Sequence, residues 1–420
     1  MLGCVGALVA RLHADVLVVD AAGGGDFTKL PAAVAAALDG DILLVRAGEY
    51  DLYLEAPVPA KSLTLLADAP TGPPLVHNIN LHGLPAACTL IVRGFEVDAY
   101  DSFGYALQLE NCDGALVFED CDIAGANIGL AGIGGSPPGW PGARLNACAS
   151  VTFVRCSLTG GKGADQVIGG STSTWGPGDG GPALEAISSH VALHDCVLLG
   201  GTGGYGNYVT GANGGPGLSL TTSLALLSGS TSTGGKGGTG CLATQMPADC
   251  NGGPGLKLDA SSSLQVLDAS WTGGDPGQGD QGQPGLIGPP FVGPPGQPIV
   301  FAGTARSLAV SSPVREQQPG LLELDGVAGD VVFFFMSFDA TSLSLPGKKG
   351  WLALAFPIFG PFALGAIGDP GGQLDIPFLA PDLASPSLEG QTFLLQGVFL
   401  GTGGTVIGSV GGFTLVDSSF

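Results

Sequence analysis

Short apolar runs with a period of two organise the middle of this chain. Leu107-Gln-Leu-Glu-Asn-Cys112 is followed by Leu116-Val-Phe-Glu-Asp-Cys121-Asp-Ile123. The phrase returns as Leu145 to Cys148 with Val151-Thr-Phe-Val-Arg-Cys156-Ser-Leu158, and as Leu184 to Ala186 with Val191-Ala-Leu-His-Asp-Cys196-Val-Leu198. It returns again as Leu218 to Leu220 with Leu224 to Thr231, and as Leu256 to Leu258 with Leu264-Gln-Val-Leu-Asp-Ala269-Ser-Trp271. Each unit holds three alternating runs, too short for helices and separated by bends. A unit like this cannot bury its apolar face alone, but stacked units can, so the pattern predicts a solenoid.

The bends assign the runs. Leu-x-Leu (Leu107 to Leu109) reads as a first strand, Val-x-Phe (Val151 to Phe153) as a second, and Cys-x-Leu (Cys156 to Leu158) as a third. Insertions rich in Gly, Pro, Ser, Thr and Asn follow the third strand at 159–182, 199–216, 232–254 and 272–297, and are expected to project as loops on one side. Ahead of the repeats, Val16 to Asp20, the Ala-rich stretch Phe27 to Leu38 and Ile42 to Val45 read strand, helix, strand. Leu30, Val34 and Leu38 stand at helical spacing, so this helix is expected to cap the open end of the stack. After about residue 318 the text changes to strands punctuated by Gly and Pro: 321–324, 331–335, 352–356, 374–378, 393–400 and 413–416. The expected architecture is all-β: a right-handed parallel β-helix over 15–312 with an N-terminal helical cap, plus a C-terminal antiparallel β-sandwich-like domain over 319–420.

Composition narrows the partners. The chain has 74 Gly and 31 Pro yet a hydrophobic fraction of 45%, so it should fold, with the glycines concentrated in turns and loops. Its net charge is −22, with only 14 Lys and Arg, which argues against nucleic acid and anionic membrane, since both need clustered cations. Neutral carbohydrate, a protein or a divalent cation stays compatible. No apolar stretch reaches transmembrane length without Gly, Pro or charge. Residues 1–14 resemble a secretory leader that lacks its basic start, with a first solenoid strand as the competing reading. On the leader reading the protein is extracellular or on the cell surface.

The nine cysteines form no CxxC pair and no Cys/His cluster at zinc spacing, so no structural metal site is expected. Cys121, Cys156 and Cys196 fall at one repeat position, continued by Gly229 and Ala269, which reads as a small inward side chain. Cys112 and Cys148 are expected to stack likewise. Cys241 and Cys250 share one insertion and are the disulfide candidates if the protein is exported.

The segment Asp20-Ala-Ala-Gly-Gly-Gly-Asp-Phe-Thr-Lys-Leu-Pro-Ala-Ala-Val-Ala-Ala-Ala-Leu-Asp-Gly-Asp-Ile-Leu-Leu-Val-Arg-Ala-Gly-Glu-Tyr50 resembles the opening of the pectin-lyase-like right-handed parallel β-helix superfamily, which includes pectinesterases and many polysaccharide lyases. The resemblance, extended by the repeats to residues 15–312, implies the fold and the capping helix, and leaves the activity open. Gly368-Asp-Pro-Gly-Gly-Gln-Leu-Asp-Ile-Pro-Phe378, with Leu388 to Leu400, resembles a small β module at the ends of many secreted bacterial proteins and implies at most attachment, export or binding.

In the resembled family, substrates lie along the outer face of the first-strand sheet. One outward column is predicted to run Tyr53, Asn80, Gln108, Arg144, Glu185, Ser219, Lys257, and its neighbour Glu55, His82, Glu110, Asn146, Ile187, Thr221, Asp259. These columns gather scarce groups: Glu110, Arg144 and Glu185 as catalytic candidates, and Tyr53, His82, Asn146, Lys257 and Asp259 as substrate contacts. A carboxylate pair could serve a glycoside hydrolase, and an Arg beside carboxylates could hold an acidic sugar or act as a lyase base. Against this stands an exposed ladder of opposite charges with no function. His190 and His194 are expected to face outward on a second strand, in a solvated ladder with Asp195, Asp120 and Arg155. Gly160 to Ile168 matches one copy of the calcium-binding nonapeptide, a site otherwise built from tandem copies, so no cofactor is expected beyond a calcium option. The galacturonase Asn-Thr-Asp, the pectinesterase signatures and the pectate-lyase Arg-x-Pro-x-x-Arg do not occur, so no catalytic residue carries over. Two expectations therefore stand: a non-catalytic adhesion, structural or carbohydrate-binding protein whose partner is a polysaccharide or cell-surface glycan, and a polysaccharide lyase or hydrolase.

Overall fold

The computed structural model describes residues 14–53, 60–68, 72–99, 104–129, 137–166, 176–206, 211–240, 250–278, 284–368, 370–381, 390–418 and 420. From residue 16 to residue 301 the chain winds as a parallel β-helix. The second strands stack into one ten-stranded parallel sheet from Val16–Val19 to Ile299–Phe301. The first and third strands share a second sheet, because Leu75–His82 serves both: Val76 pairs with Val97 in the third-strand stack, and Leu81 with Leu109 in the first.

Alternation places one residue in two inside. Leu109, Leu145, Ala186, Leu220 and Leu258 stack in register, as do Phe118, Phe153, Leu193, Leu227 and Val266 on the facing sheet. All are at most 5% exposed, and the Phe118 and Phe153 rings stack at 5.2 Å. Full burial of each Leu or Phe contributes about 1.5–3 kcal/mol, repeated coil after coil.

Sharp bends close each coil. Asn111, Ala147, Ser188 and Thr222 turn the chain from first to second strand, and Asp120, Arg155, Asp195, Gly229 and Asp268 from second to third, all with φ between +49° and +61°. This corrects the sequence register at one point: Gly229 belongs to the bend column, and Ser230 continues the ladder of Cys121, Cys156 and Cys196. The Cys196 amide donates to Ser230 Oγ at 2.9 Å. Likewise Cys112 and Cys148 lead into Ser189 and Ser223, with the Cys148 amide on Ser189 Oγ at 3.0 Å. The position takes a small side chain that also donates to a carbonyl, as Cys156 Sγ does to Phe118 O.

The N-terminal cap is a helix, Leu30–Ala36, that lays Leu30, Ala33 and Val34 over the end of the core. It is shorter than the periodicity predicts, and Leu38 lies outside it, 67% exposed. The buried Lys61 ammonium takes the carbonyls of Val34 and Ala37, and Asp41 accepts from the Leu38 amide, so the last turn is closed before Leu38.

The Gly-rich insertions do not project as free loops. Their described arms, outgoing after each third strand and returning before each first strand, are extended and hydrogen-bonded into a two-layer slab. Along the outgoing layer the bonds recur every third residue: Gly160 to Leu199 O, Gly163 to Thr202 O, Gln166 to Tyr205 O, then Gly200, Gly203 and Gly206 to Thr233, Lys236 and Thr239. The returning layer repeats this with Gly139 to Asp179 O, Gly180 to Asn213 O, Gly214 to Asn251 O and Gly252 to Leu286 O. Between layers, Gly201 donates to Gly181 O, Gly215 to Gly201 O and Gly235 to Gly215 O. A three-residue period is that of polyproline II, whose backbone groups have no partners within the helix and here find them in neighbouring arms. Glycine is required by contact: a Cβ on Gly201 would stand 2.0 Å from Gly161 O, and one on Gly235 1.9 Å from Gly201 O. The remaining residue of each triplet faces outward, as in the columns Lys162, Thr202, Lys236 and Pro182, Pro216, Pro254.

The C-terminal sheets are separate and almost wholly antiparallel. One holds Ser307–Val310, Pro319–Asp325 and Gln373–Leu379; a second runs Val314–Arg315, Gly404–Val416, Thr392–Gly401, Val331–Ser337, Phe359–Ala366; a third pairs Ala340–Ser344 with Trp351–Leu354. They lie against the outer face of the second-strand sheet. Ile91, Val117 and Val154 share an apolar cluster with Ala353, Leu354, Leu394 and Val410, and Trp351 packs on Ala192 and Leu226. His194 is therefore buried at 1% exposure instead of solvated, while His190 is exposed. Among the described residues no helix is long and apolar enough to cross a membrane.

Candidate functional site

The first-strand sheet places the predicted columns as the alternation requires. Backbone register runs Tyr53, Asn80, Gln108, Arg144, Glu185, Ser219, Lys257, and beside it His82, Glu110, Asn146, Ile187, Thr221. Glu55 lies outside the described residues. The catalytic candidates meet only in part. Arg144 Nε is 3.2 Å from Glu185 Oε2 across adjacent coils. Glu110 stands in the other column, where its carboxylate accepts from Gln108 Nε2 at 2.8 Å.

Of the predicted contacts, His82 pairs in register with Glu110, and Asn146 follows in the next coil. Lys257 is exposed beside Ser219. Asp259 is a turn residue: its Oδ1 accepts from the Thr222 amide at 3.1 Å, the Ser261 amide at 3.2 Å and Ser262 Oγ at 2.6 Å. The Ser262 hydroxyl and the Thr222 amide together hold its pKa below the usual carboxylate value. Cys250 is disulfide-bonded, and Cys241 lies outside the described residues.

Two residues that the columns do not contain complete this corner. Tyr105 lies under Arg144, whose Cζ is 5.2 Å from the ring centre and whose NH1 donates to the Tyr105 hydroxyl. Trp140, on the first returning arm, meets Tyr105 edge to face at 4.7 Å. Trp140 Nε1 and Arg144 Nε are both buried without a hydrogen-bond acceptor, the Arg144–Glu185 contact being an ion pair without hydrogen-bond alignment. The corner thus offers aromatic surface and a neutralised ion pair, with the two unsatisfied donors lying beneath it. Period-two reasoning misses Tyr105 and Trp140 because neither lies in a strand; the triplet period of the glycine arm is the signal that fixes Trp140.

Two other clusters of titratable groups are committed to partners within the chain. His77, on the third-strand stack, bonds Asp98 through Nδ1 and Glu49 through Nε2 at 2.9 Å. Burial works to lower its pKa, but the two carboxylates outweigh it and the pKa is raised. Asp165, in the nonapeptide match, is held by Lys162 Nζ at 2.6 Å and by the Tyr205 amide at 2.7 Å. Among the described residues no group of three or more His, Cys, Asp or Glu could hold a metal ion.

No protein-family model matches the chain, and no curated protein sequence does either.

Proposed function

We propose that the protein is an extracellular, non-catalytic β-helix that binds a neutral polysaccharide or cell-surface glycan along its first-strand face. The observation that carries this reading is the corner of Tyr105, Trp140, Arg144 and Glu185. A sugar ring stacks on aromatic surface, and the exposed edge of the ion pair beside it can exchange hydrogen bonds with the ring hydroxyls. Charges paired within the face suit a neutral ligand better than an acidic one. The carboxylates a hydrolase would use are engaged by Arg144 and Gln108, which supports binding over cleavage. The disulfide at Cys250 supports an oxidising, extracellular setting.

A panel of immobilised glycans tests the proposal, with Tyr105→Ala and Arg144→Ala/Glu185→Ala beside the parent chain. Retention of one glycan class by the parent, weakened about tenfold or more in both variants without loss of thermal stability, is the expected result. Equal retention by all three proteins would remove the site. Product release from any glycan, abolished by Glu185→Gln, would remove the non-catalytic reading.

A further inference from the structure

Two of the free thiols meet across adjacent coils. Cys112 and Cys148 each follow a first strand and its bend residue, and the backbone sets them at one ladder position: the Ala149 amide donates to Cys112 O at 2.8 Å, as the His190 amide does to Cys148 O at 2.9 Å. Both are buried, at 0% and 1% exposure. Cys112 Sγ donates to Glu110 O at 3.4 Å and Cys148 Sγ to Leu109 O at 3.4 Å. Cys148 Sγ also accepts from the Cys112 amide, and the two thiols hydrogen-bond one another. Coils stack about 4.8 Å apart, inside the Cα separation of about 4.4–6.8 Å that a disulfide spans.

This ladder holds two sulfurs and no third. Leu84 precedes Cys112, its carbonyl taking the Asp113 amide at 2.9 Å, and Ser189 follows Cys148. The other ladder lines up three, Cys121, Cys156 and Cys196, so any pairing there leaves one over. Its bends also lie under the C-terminal sheets, where Arg155 NH1 donates to Leu308 O at 3.3 Å and the Ala305 amide to Asp268 Oδ2 at 3.0 Å. The bends that carry Cys112 and Cys148 are open, with Asn111, Asp113, Ala147 and Ala149 exposed. Contact with Cys148 lowers the Cys112 pKa, contact with Cys112 raises that of Cys148, and burial pushes Cys121 and Cys156 far up. The thiolate, which is the attacking form, therefore appears on Cys112 before Cys148.

We propose that Cys112 and Cys148 are a redox site that closes as an inter-coil disulfide when the chain meets a small-molecule disulfide oxidant. The Cys112 thiolate attacks one sulfur of the oxidant, and the other sulfur leaves as a thiolate. Cys148, its proton passed to solvent, then attacks Cys112 Sγ and expels the second thiolate. Two protein thiols are oxidised to one disulfide, and the oxidant is reduced to two thiols. The bond ties two neighbouring coils together, two residues beyond Glu110 and Asn146.

Oxidised glutathione is the probe. The full chain is incubated with it folded and, in parallel, refolded from denaturant in its presence; free thiols are then blocked and peptides mapped without reduction. The expected result is a peptide joining Cys112 to Cys148, and a melting temperature that rises on closure and returns with dithiothreitol. The link in either arm supports the proposal. Both thiols still free in both arms, or either one joined to a different cysteine, overturns it. Cys112→Ser/Cys148→Ser places at both positions the residue that Ser189 and Ser223 supply in the next coils, and should show no shift with dithiothreitol; a shift that persists in this variant overturns the proposal as well. Should the variant fold poorly, the peptide map of the parent decides alone.

Discussion

Glu119 Oε2 accepts the backbone amide of Gly412 at 3.0 Å, tying a second strand of the solenoid to the last strand of the C-terminal sheets. The carboxylate is 1% exposed and is also held by Arg155 at 2.5 Å and Arg93 at 3.4 Å. Arg93 in turn donates to Gly412 O and Val310 O. Removing one member of a buried ion pair strands the others, at a cost of about 3–5 kcal/mol. Glu119→Ala should therefore loosen the C-terminal sheets from the solenoid. Chemical denaturation should show the loss, and limited proteolysis should cut faster between residues 303 and 319; an unchanged midpoint would contradict the clamp.

The slab predicts an unusual mutational map. Gly235→Ala places a methyl 1.9 Å from Gly201 O, a backbone atom that cannot swing aside. The nearby Lys236→Ala faces outward and meets nothing in the slab. The first should cost several kcal/mol and the second less than about 0.5 kcal/mol, measured as shifts in thermal or urea midpoints. If the two are equal, the arms are not packed as described.

How far the sequence spoke depends on which period it used. Period two was readable, so Leu109 and Leu145, Arg144 and Glu185 fall where alternation puts them, one coil apart and on the stated faces. The bend column was harder, because Gly229 and Ser230 are both small and only the φ near +60° separates them. The slab was hidden for a different reason. A Gly-Gly-x triplet in a flexible loop looks like one in a packed arm, and only a neighbour at every third residue makes the glycines structural. His194 misled because alternation reports which face a side chain leaves by, and a second set of sheets covered that face.

His194 makes stability depend on pH. Burial pushes its pKa down to about 4, against about 6.5 in an unfolded chain, and its ring nitrogens have no partner among the described residues. The unfolded chain binds a proton first as pH falls. The contribution is complete above pH 6.5, is lost as pH falls from 6.5 toward 4, and is flat below, with a total of about 3 kcal/mol. Asp195 slopes the other way: burial, with Asp325 and Asp268 adding and Arg155 opposing, raises its pKa to about 6, so its contribution is lost as pH rises from 3.8 to 6. The difference between the parent and His194→Leu isolates the histidine. Urea midpoints measured every half unit from pH 4 to 7.5 should show the variant gaining on the parent only below pH 6.5; parallel curves would mean the ring is solvated.

His77 predicts the reverse sign on the other sheet. Its raised pKa, set by Glu49 and Asp98 against the effect of burial, means the folded chain holds the proton more tightly than the unfolded one. That stabilisation is fully present below pH 6.5 and is lost as pH rises through the folded value. His77→Gln keeps hydrogen-bonding capacity but no charge, so it should be less stable than the parent at pH 5.5 and approach it at pH 8.5. Nuclear magnetic resonance titration of the histidine ring protons gives an independent check, with the His77 signal moving above the ordinary 6.5 and the His194 signal still neutral at pH 5. A His77 signal titrating below 6.5 would show that the carboxylates do not hold the ring, and the trio around it would then be a solvated surface cluster.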